Sequence, residues 1–267
     1  MKTASPTATP NEPKTAGPRV RAVPAVTRAL AILRLLGRHR TPLGVKAIAR
    51  ELELVPSTAL HILRALVAEQ LVRVDPGTKQ YSLGVGMLAL ARTVLENSSF
   101  ANLIQHELDR ISKAHGVTAF GTELMGLEHM VVVALSRASI PMRLHVDIGS
   151  RFPALISATG RCVAAFGEYS PEELRKRFRA LIWQNAPSWE AWWKDVGAAR
   201  RQGYAVDRGN YIDGVTIVAA PVLGPRQAMA YGIAAAGLAS QLNRAAAVAL
   251  GQDLQAAAAT VASQLPA

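Results

Sequence analysis

From Val26 onward, apolar residues recur at helical spacing. Val26, Ala29, Leu30, Leu33 and Leu36 share one face, and Arg28, Arg34 and Arg38 lie off it. Gly37 falls near the end of this helix, and residues 41–44, Thr-Pro-Leu-Gly, read as a loop. A short second helix is predicted over residues 45–52, with Ile48 and Ala49 inward, followed by a turn at residues 53–55. Pro56 then stands where a helix start tolerates its missing N–H. The third helix, residues 56–69, places Ala59, Ile62, Leu63, Leu66 and Val67 on a buried stripe. Strands at 71–74 and 80–83 flank Asp75-Pro76-Gly77-Thr78, whose composition suits a tight turn.

The rest of the chain alternates between helices and strands. A helix over residues 84–97 carries Met87, Leu88, Ala91, Val94 and Leu95 on one face. It reads either as a rigid linker with a dimerisation surface or as another core helix. Helices are predicted over 101–115, 156–166, 171–180, 188–202 and 243–265. Strands are predicted over 116–124, 129–137, 142–147, 204–207, 215–222 and 228–236, with residues 149–153 as a loop. This order predicts an α+β domain with a mostly antiparallel sheet flanked by helices.

Charge sharpens the picture of the first 83 residues. The chain has 267 residues and a net charge of +11, and residues 19–83 hold 11 Lys/Arg against 4 Asp/Glu. About two-thirds of the excess thus lies in about a quarter of the chain, which suits contact with a polyanion. An exposed polar start to the third helix, beside a basic hairpin, is the arrangement with which a winged helix-turn-helix meets double-stranded DNA. Residues 1–22 are rich in Pro, Thr, Ala and Lys and are expected to be a disordered basic leader.

Other chemistry is sparse. One cysteine, Cys162, excludes an intramolecular disulfide and a four-cysteine zinc site. Six histidines are scattered, with no close pair at metal-ligand spacing. No metal or other cofactor is expected. Cys162 lies inside an apolar helix with no His or Asp nearby in sequence, so a buried, unreactive thiol is the expectation. No GxSxG, phosphate loop or dinucleotide glycine pattern occurs, which argues against an enzyme. No apolar run is long enough to span a bilayer and no signal-peptide core precedes the first helix, so a cytoplasmic location is expected.

Several short stretches, taken together, resemble the IclR-type bacterial transcriptional regulators. In the first part they are Val26-Thr27-Arg28-Ala29-Leu30-Ala31-Ile32-Leu33, Ile48-Ala49-Arg50-Glu51-Leu52, Pro56-Ser57-Thr58-Ala59 and Tyr81-Ser82-Leu83-Gly84. In the second they are Gly149-Ser150-Arg151-Phe152-Pro153, Gly203-Tyr204-Ala205-Val206-Asp207, Gly214-Val215 and Ala219-Ala220-Pro221-Val222. The resemblance covers residues 22–263. It implies a winged helix-turn-helix over residues 23–83, a linker helix over 84–98, and a GAF-like effector-binding and oligomerisation domain over 99–267. It also implies a homodimer or a dimer of dimers, acting as repressor or activator.

On this reading Ser57, Thr58, His61 and Arg64 enter the major groove from the third helix. Arg73 and Lys79 flank the wing turn and are candidates for phosphate contact, with Lys46 and Arg50 on the second helix as further candidates. Relatives often carry arginine where this chain has His61, which leaves the base preference open.

The resemblance also implies that the loop and helix start after Gly149 form one wall of the effector pocket; Ile156, Ser157 and Ala158 stand there, where backbone N–H groups favour an anion. Members that bind small polar acids often have Cys and Ser on two later strands, where this chain has Ile217, and Ala234 and Ala236. They often have His where this chain has Leu155, while Asp207 matches the acidic position. Loss of polar partners makes burial of a small polar acid costly, and so favours a larger, partly apolar carboxylate such as an aromatic acid. Phe120, Met125, Leu127 and Met142 are candidate lining residues, or ordinary core.

Overall fold

The computed structural model describes residues 23–39, 41–136, 146–224 and 228–265, with only the backbone course given for 94–97. The expected disordered leader, Met142 and most of the strand expected at 142–147 lie outside the described residues. The chain divides into two compact units, Met1–Arg92 and Thr93–Ala267.

The first unit is built on three helices and a small sheet. Helix α1 (Pro24–Arg38) is followed by β1 (Leu43–Gly44), α2 (Val45–Glu51), α3 (Pro56–Ala68), β2 (Val72–Val74) and β3 (Gln80–Leu83). The strands form an antiparallel sheet in the order β1-β3-β2. Residues 43–44, expected in a loop, instead pair with Tyr81 and Gln80 and extend the wing to three strands. Ile32, Leu35, Leu36, Ile48, Leu63, Leu66, Val72 and Tyr81 form one buried cluster.

The stripe expected on α3 is the one buried, with Ala59, Leu63 and Leu66 inside. The face expected on α1 needs correction. Ile32, Leu35 and Leu36 are buried there, whereas Val26 and Leu30 are 55% and 44% exposed. An apolar stripe wider than the face that meets α3 leaves its far edge in solvent. Helix α4 (Gly86–Asn97) begins in the first unit and continues into the second.

The second unit is a six-stranded antiparallel sheet with helices on both faces. Its elements are α5 (Ser99–His115), β4 (Thr118–Met125), β5 (His129–Leu135), β6 (Arg151–Pro153), α6 (Ser157–Phe166), α7 (Pro171–Phe178), α8 (Trp189–Gln202), β7 (Ala205–Arg208), β8 (Val215–Leu223), β9 (Met229–Leu238) and α9 (Arg244–Gln264). The strand order is β6-β5-β4-β9-β8-β7. The edge strand β6 forms where a loop was expected, because Arg151, Phe152 and Pro153 pair with Val131, Met130 and His129.

Alternation along the strands sends Val218, Ala220, Ile233 and Ala235 to one face, with Ile104, Leu108, Leu250 and Leu254 from α5 and α9. Phe120, Val132, Ala219 and Ala234 face the other way, with Cys162, Val163, Trp192 and Val196 from α6 and α8. Small residues on β8 and β9 let α6 lie close to the sheet. Gly232 of β9 is one such contact, since a Cβ there would stand 3.3 Å from the Thr159 side chain of α6. No helix among the described residues is long and apolar enough to cross a membrane.

Candidate functional site

Two sites emerge, one in each unit. In the first, α3 opens with Pro56 at its first turn and no side chain caps its N-terminus. Ser57, His61 and Arg64 are exposed and Thr58 is half-buried. Spacings of four and three residues place Ser57, His61 and Arg64 on one face of the helix, opposite Ala59, Leu63 and Leu66. The helix thus buries one side in its own core and offers a polar, cationic side outward.

The wing beside it is held by its own turn. Asp75 Oδ1 accepts from the Gly77 N–H at 3.0 Å, the Thr78 N–H at 2.6 Å and the Thr78 hydroxyl at 2.9 Å. These bonds, the Thr78 backbone N–H first, hold the Asp75 carboxyl below the usual carboxylate range. A depressed carboxyl stabilises the turn above its ordinary range and loses that contribution only as pH falls through the lowered value. The wing therefore keeps its shape at neutral pH.

Lys79 follows the turn, exposed, with φ 55. Arg73 is exposed and its Nε donates to Ser82 Oγ at 2.8 Å. Lys46 and Arg50 are exposed on α2. If Arg73 and Lys79 meet phosphates, replacing either by alanine should weaken DNA binding evenly across sequences. The slope of log affinity against log salt should fall by about one per residue, measured by fluorescence anisotropy.

The second unit contains a cavity of about 150 Å³ between the sheet and the start of α6. Phe120, Met130, Val215, Ile217 and Ala236 line it from the strands, and Phe152, Ile156, Ser157, Thr159, Tyr211 and Ile212 line it from β6, α6 and the β7–β8 loop. Phe152 and Tyr211 meet edge to face, with ring centroids 6.4 Å apart. Burial pushes the Tyr211 phenol up, so it keeps its proton and can donate at neutral pH. Ile156, at the N-cap of α6, offers no side-chain cap. The first N–H groups of that helix are thus not taken up by a side chain.

Of the candidates drawn from the sequence, Phe120, Ile156, Ser157, Ile217 and Ala236 line this cavity. The others do not. Met125 is 48% exposed at the end of β4, and Leu127 is packed in the core beneath α6. Ala158 and Ala234 are buried in that same core. Asp207 is buried too, but its carboxylate is occupied. Oδ2 accepts from Arg161 Nη1 at 3.0 Å, and Oδ1 accepts from the Asn210 N–H at 2.9 Å and the Tyr211 N–H at 3.4 Å. It stands behind the wall rather than in it.

Sequence reasoning missed Met130, Tyr211 and Arg161, and reached Phe152 only as part of the loop after Gly149. The alternation of β5, which buries Met130 with Val132, was the available signal for the first. Arg161 is 1% exposed within the small-residue helix α6. Its guanidinium donates to the Ser157 carbonyl at 3.0 Å, the Asp195 carboxylate at 3.2 Å and the Asn210 side-chain oxygen at 2.8 Å, besides Asp207.

Cys162 is fully buried and its Sγ donates to the Ala219 carbonyl at 3.3 Å. Burial pushes its thiol up to about 12. The thiolate is the reactive form, so the folded protein should resist iodoacetamide at pH 8 and react only when unfolded. Intact mass spectrometry with and without guanidinium reads this directly.

Comparison with known proteins places both units. Residues 25–76 match the IclR helix-turn-helix domain, and residues 92–263 match the C-terminal domain of the bacterial transcriptional regulator IclR. The glycerol operon regulatory protein of Streptomyces griseus is 30% identical over 79% of this chain and 83% of its own. The IclR transcriptional regulator of Alicyclobacillus acidocaldarius superposes with a TM-score of 0.80 at 26% identity, covering 91% of this chain and 99% of the other. An IclR homologue of Microbacterium hydrocarbonoxydans, solved with 4-hydroxybenzoate, superposes with a TM-score of 0.70 at 19% identity, covering 90% and 98%. The first unit accordingly holds the helix-turn-helix domain and the second the C-terminal effector-binding domain of a transcriptional regulator, and the chain belongs to the IclR family.

Proposed function

We propose that this regulator responds to a small carboxylate carrying a single aromatic or comparably apolar ring, bound in the cavity at the start of α6. The observation that carries the reading is the cavity itself. An apolar cavity of about 150 Å³ accommodates a benzene-sized group, and this one is of about 150 Å³. Ile217 and Ala236 supply apolar wall where a small polar acid would need hydrogen-bond partners. Ser157, Thr159 and Tyr211 supply the polar minority. The uncapped N–H groups of α6 favour a negative charge at that end. The 4-hydroxybenzoate in the Microbacterium hydrocarbonoxydans protein belongs to that protein, and its 19% identity speaks for the fold. The ligand class proposed here rests on this chain's own lining.

Thermal-shift titration tests the reading. Benzoate and 4-hydroxybenzoate should raise the unfolding temperature, and pyruvate and glyoxylate should not. Stabilisation by the short acids alone would overturn it. Fluorescence gives a second readout. All four tryptophans, Trp183, Trp189, Trp192 and Trp193, lie in or beside α7 and α8. The Gln184 N–H donates to the Tyr211 carbonyl at 3.3 Å, next to Trp183. Ligand against Tyr211 should therefore change the emission.

At the DNA end, Ser57, Thr58, His61 and Arg64 read base edges, and Arg73 and Lys79 hold phosphates, with Lys46 and Arg50 as outer contacts. The polar outward face of α3 supports this assignment. Arg64→Ala should cost about 1–3 kcal/mol and relax preference at one base pair, as one lost bidentate contact does. Competition binding against a library of single-base variants measures it. An even loss across all sequences would make Arg64 a phosphate contact instead.

The working form is a homodimer or a dimer of dimers. Val23, Val26 and Leu30 at α1 and Val85, Leu88 and Leu90 at α4 are exposed large apolar side chains. Two such surfaces are costly to leave in water and suit self-association. Effector and operator then act on one equilibrium, each shifting it by its difference in affinity for the two arrangements. Light scattering should give a dimer or a multiple of it.

A further inference from the structure

We propose that Arg161 is the positioning residue of the effector cavity, fixing its two polar walls relative to each other without touching the ligand. One wall is the start of α6, which brings Ser157 and Thr159; the other is the β7–β8 loop, which brings Tyr211 and Ile212. Arg161 sits one turn below the first wall and joins both. Its Nη1 holds the Ser157 carbonyl at 3.0 Å, and its Nη2 holds the Asn210 side chain at 2.8 Å. The same Nη1 holds Asp207 at 3.0 Å, and Asp207 in turn accepts the backbone N–H groups of Asn210 and Tyr211. One planar guanidinium therefore sets the carbonyl of one lining residue and the backbone of another.

The surrounding contacts fit this role. Ser157 is not glycine yet has φ 57, a left-handed conformation that persists only when its neighbours hold it. Asn185 clasps the loop from its other side, donating to the Gly209 carbonyl at 2.9 Å and accepting from Asn210 Nδ2 at 3.1 Å. Asp195 on α8 takes the remaining guanidinium edge through Nε. A buried ion pair is a weak way to gain stability, since apolar residues of similar size often serve as well. What apolar residues cannot supply is four directed hydrogen bonds to α6, β7, the loop and α8 at once.

The proposal rests on the cavity being the effector site, so its test has one arm that needs no effector. Amide hydrogen exchange is followed in the wild type, in Arg161→Met/Asp207→Leu, and in Asn210→Ala, which removes the loop's side-chain bonds to Arg161 and to the Asn185 carbonyl and keeps the buried pair. In the double variant, exchange at 157–160 and 209–213 should accelerate together by about tenfold, the size of one lost charge-assisted hydrogen bond. Helix α9 should stay protected. In Asn210→Ala only 209–213 should loosen.

In the second arm, benzoate affinity should fall about tenfold or more in both variants, with ligand-free DNA affinity unchanged. Wild-type exchange at 209–213 in Asn210→Ala, or loosening of only one wall in the double variant, would overturn the proposal. Unchanged benzoate affinity in loosened variants would overturn it too. Should the walls loosen together while the wild type ignores benzoate, the positioning role stands and the proposed ligand class falls.

Discussion

Arg161→Met alone is expected to destabilise the second unit by about 3–5 kcal/mol, because it leaves a carboxylate buried without its cation. Asp207 is 1% exposed, and Arg161 is its only side-chain partner among the described residues. Two backbone N–H groups still reach Asp207, but they do not neutralise it. For a unit of this size the loss corresponds to roughly 10 °C in unfolding temperature. Asp207→Leu alone should cost less, because Asp195 remains beside Arg161 at 3.2 Å. The double change Arg161→Met/Asp207→Leu should recover most of the stability, since both charges leave the interior together. Calorimetric scans of the three variants check this, and a double variant no more stable than Arg161→Met would contradict it.

Ala236→Phe is expected to abolish the response to aromatic acids while leaving DNA binding intact. Ala236 is 4% exposed, lies on β9 opposite Ile217, and lines the cavity. A phenyl ring grown from its Cβ occupies the volume proposed for the ligand's own ring. Burying such a ring is worth about 1.5–3 kcal/mol, and displacing the ligand's carboxylate from α6 adds to that. Benzoate affinity should therefore fall by about a hundredfold or more. The change should cost about 1–3 kcal/mol in stability from crowding, partly offset by the filled cavity. Operator affinity without ligand should match the wild type. A variant that keeps its benzoate response would place the ligand elsewhere.

Much of the fold is legible because amphipathic periodicity is strong where burial is one-sided. The α3 stripe of Ala59, Leu63 and Leu66 and the alternation of β5 are of this kind. Helix α1 shows the limit. Val26 and Leu30 share helical spacing with buried residues but stand in solvent within one chain. Periodicity marks an apolar face without saying whether the same chain or a second copy covers it. The strands β1 and β6, of two and three residues, are too short to carry a periodic signal and exist because a neighbouring strand edge is available.

The site divides similarly. Ile156, Ser157 and Ile217 could be placed at the cavity through the family resemblance, which marks a helix start and a strand position as pocket wall. Asp207 is a ligand candidate because it matches the family's acidic position, yet it serves Arg161. That pairing joins residues 46 positions apart, and nothing local to either announces it. Arg161 itself reads as a lone cation in a small-residue helix. Only the packing of α6 against β7 and α8 turns it into the centre of a network. Tyr211 and Ile212 reach the cavity through a loop whose course is set by Asn185 and Asp207, which sequence pattern does not encode.

On the proposed function, one cavity in the second unit governs DNA binding by the first. The most direct measurement is operator affinity of the full-length protein at fixed salt, titrated with benzoate, for the wild type and Ala236→Phe. Wild-type affinity should shift by about 5- to 150-fold in one direction, the usual range of coupling between two sites. Ala236→Phe should bind the same operator with no shift at any benzoate concentration. Equal shifts in both proteins, or a wild type moved by pyruvate and not by benzoate, would contradict the account.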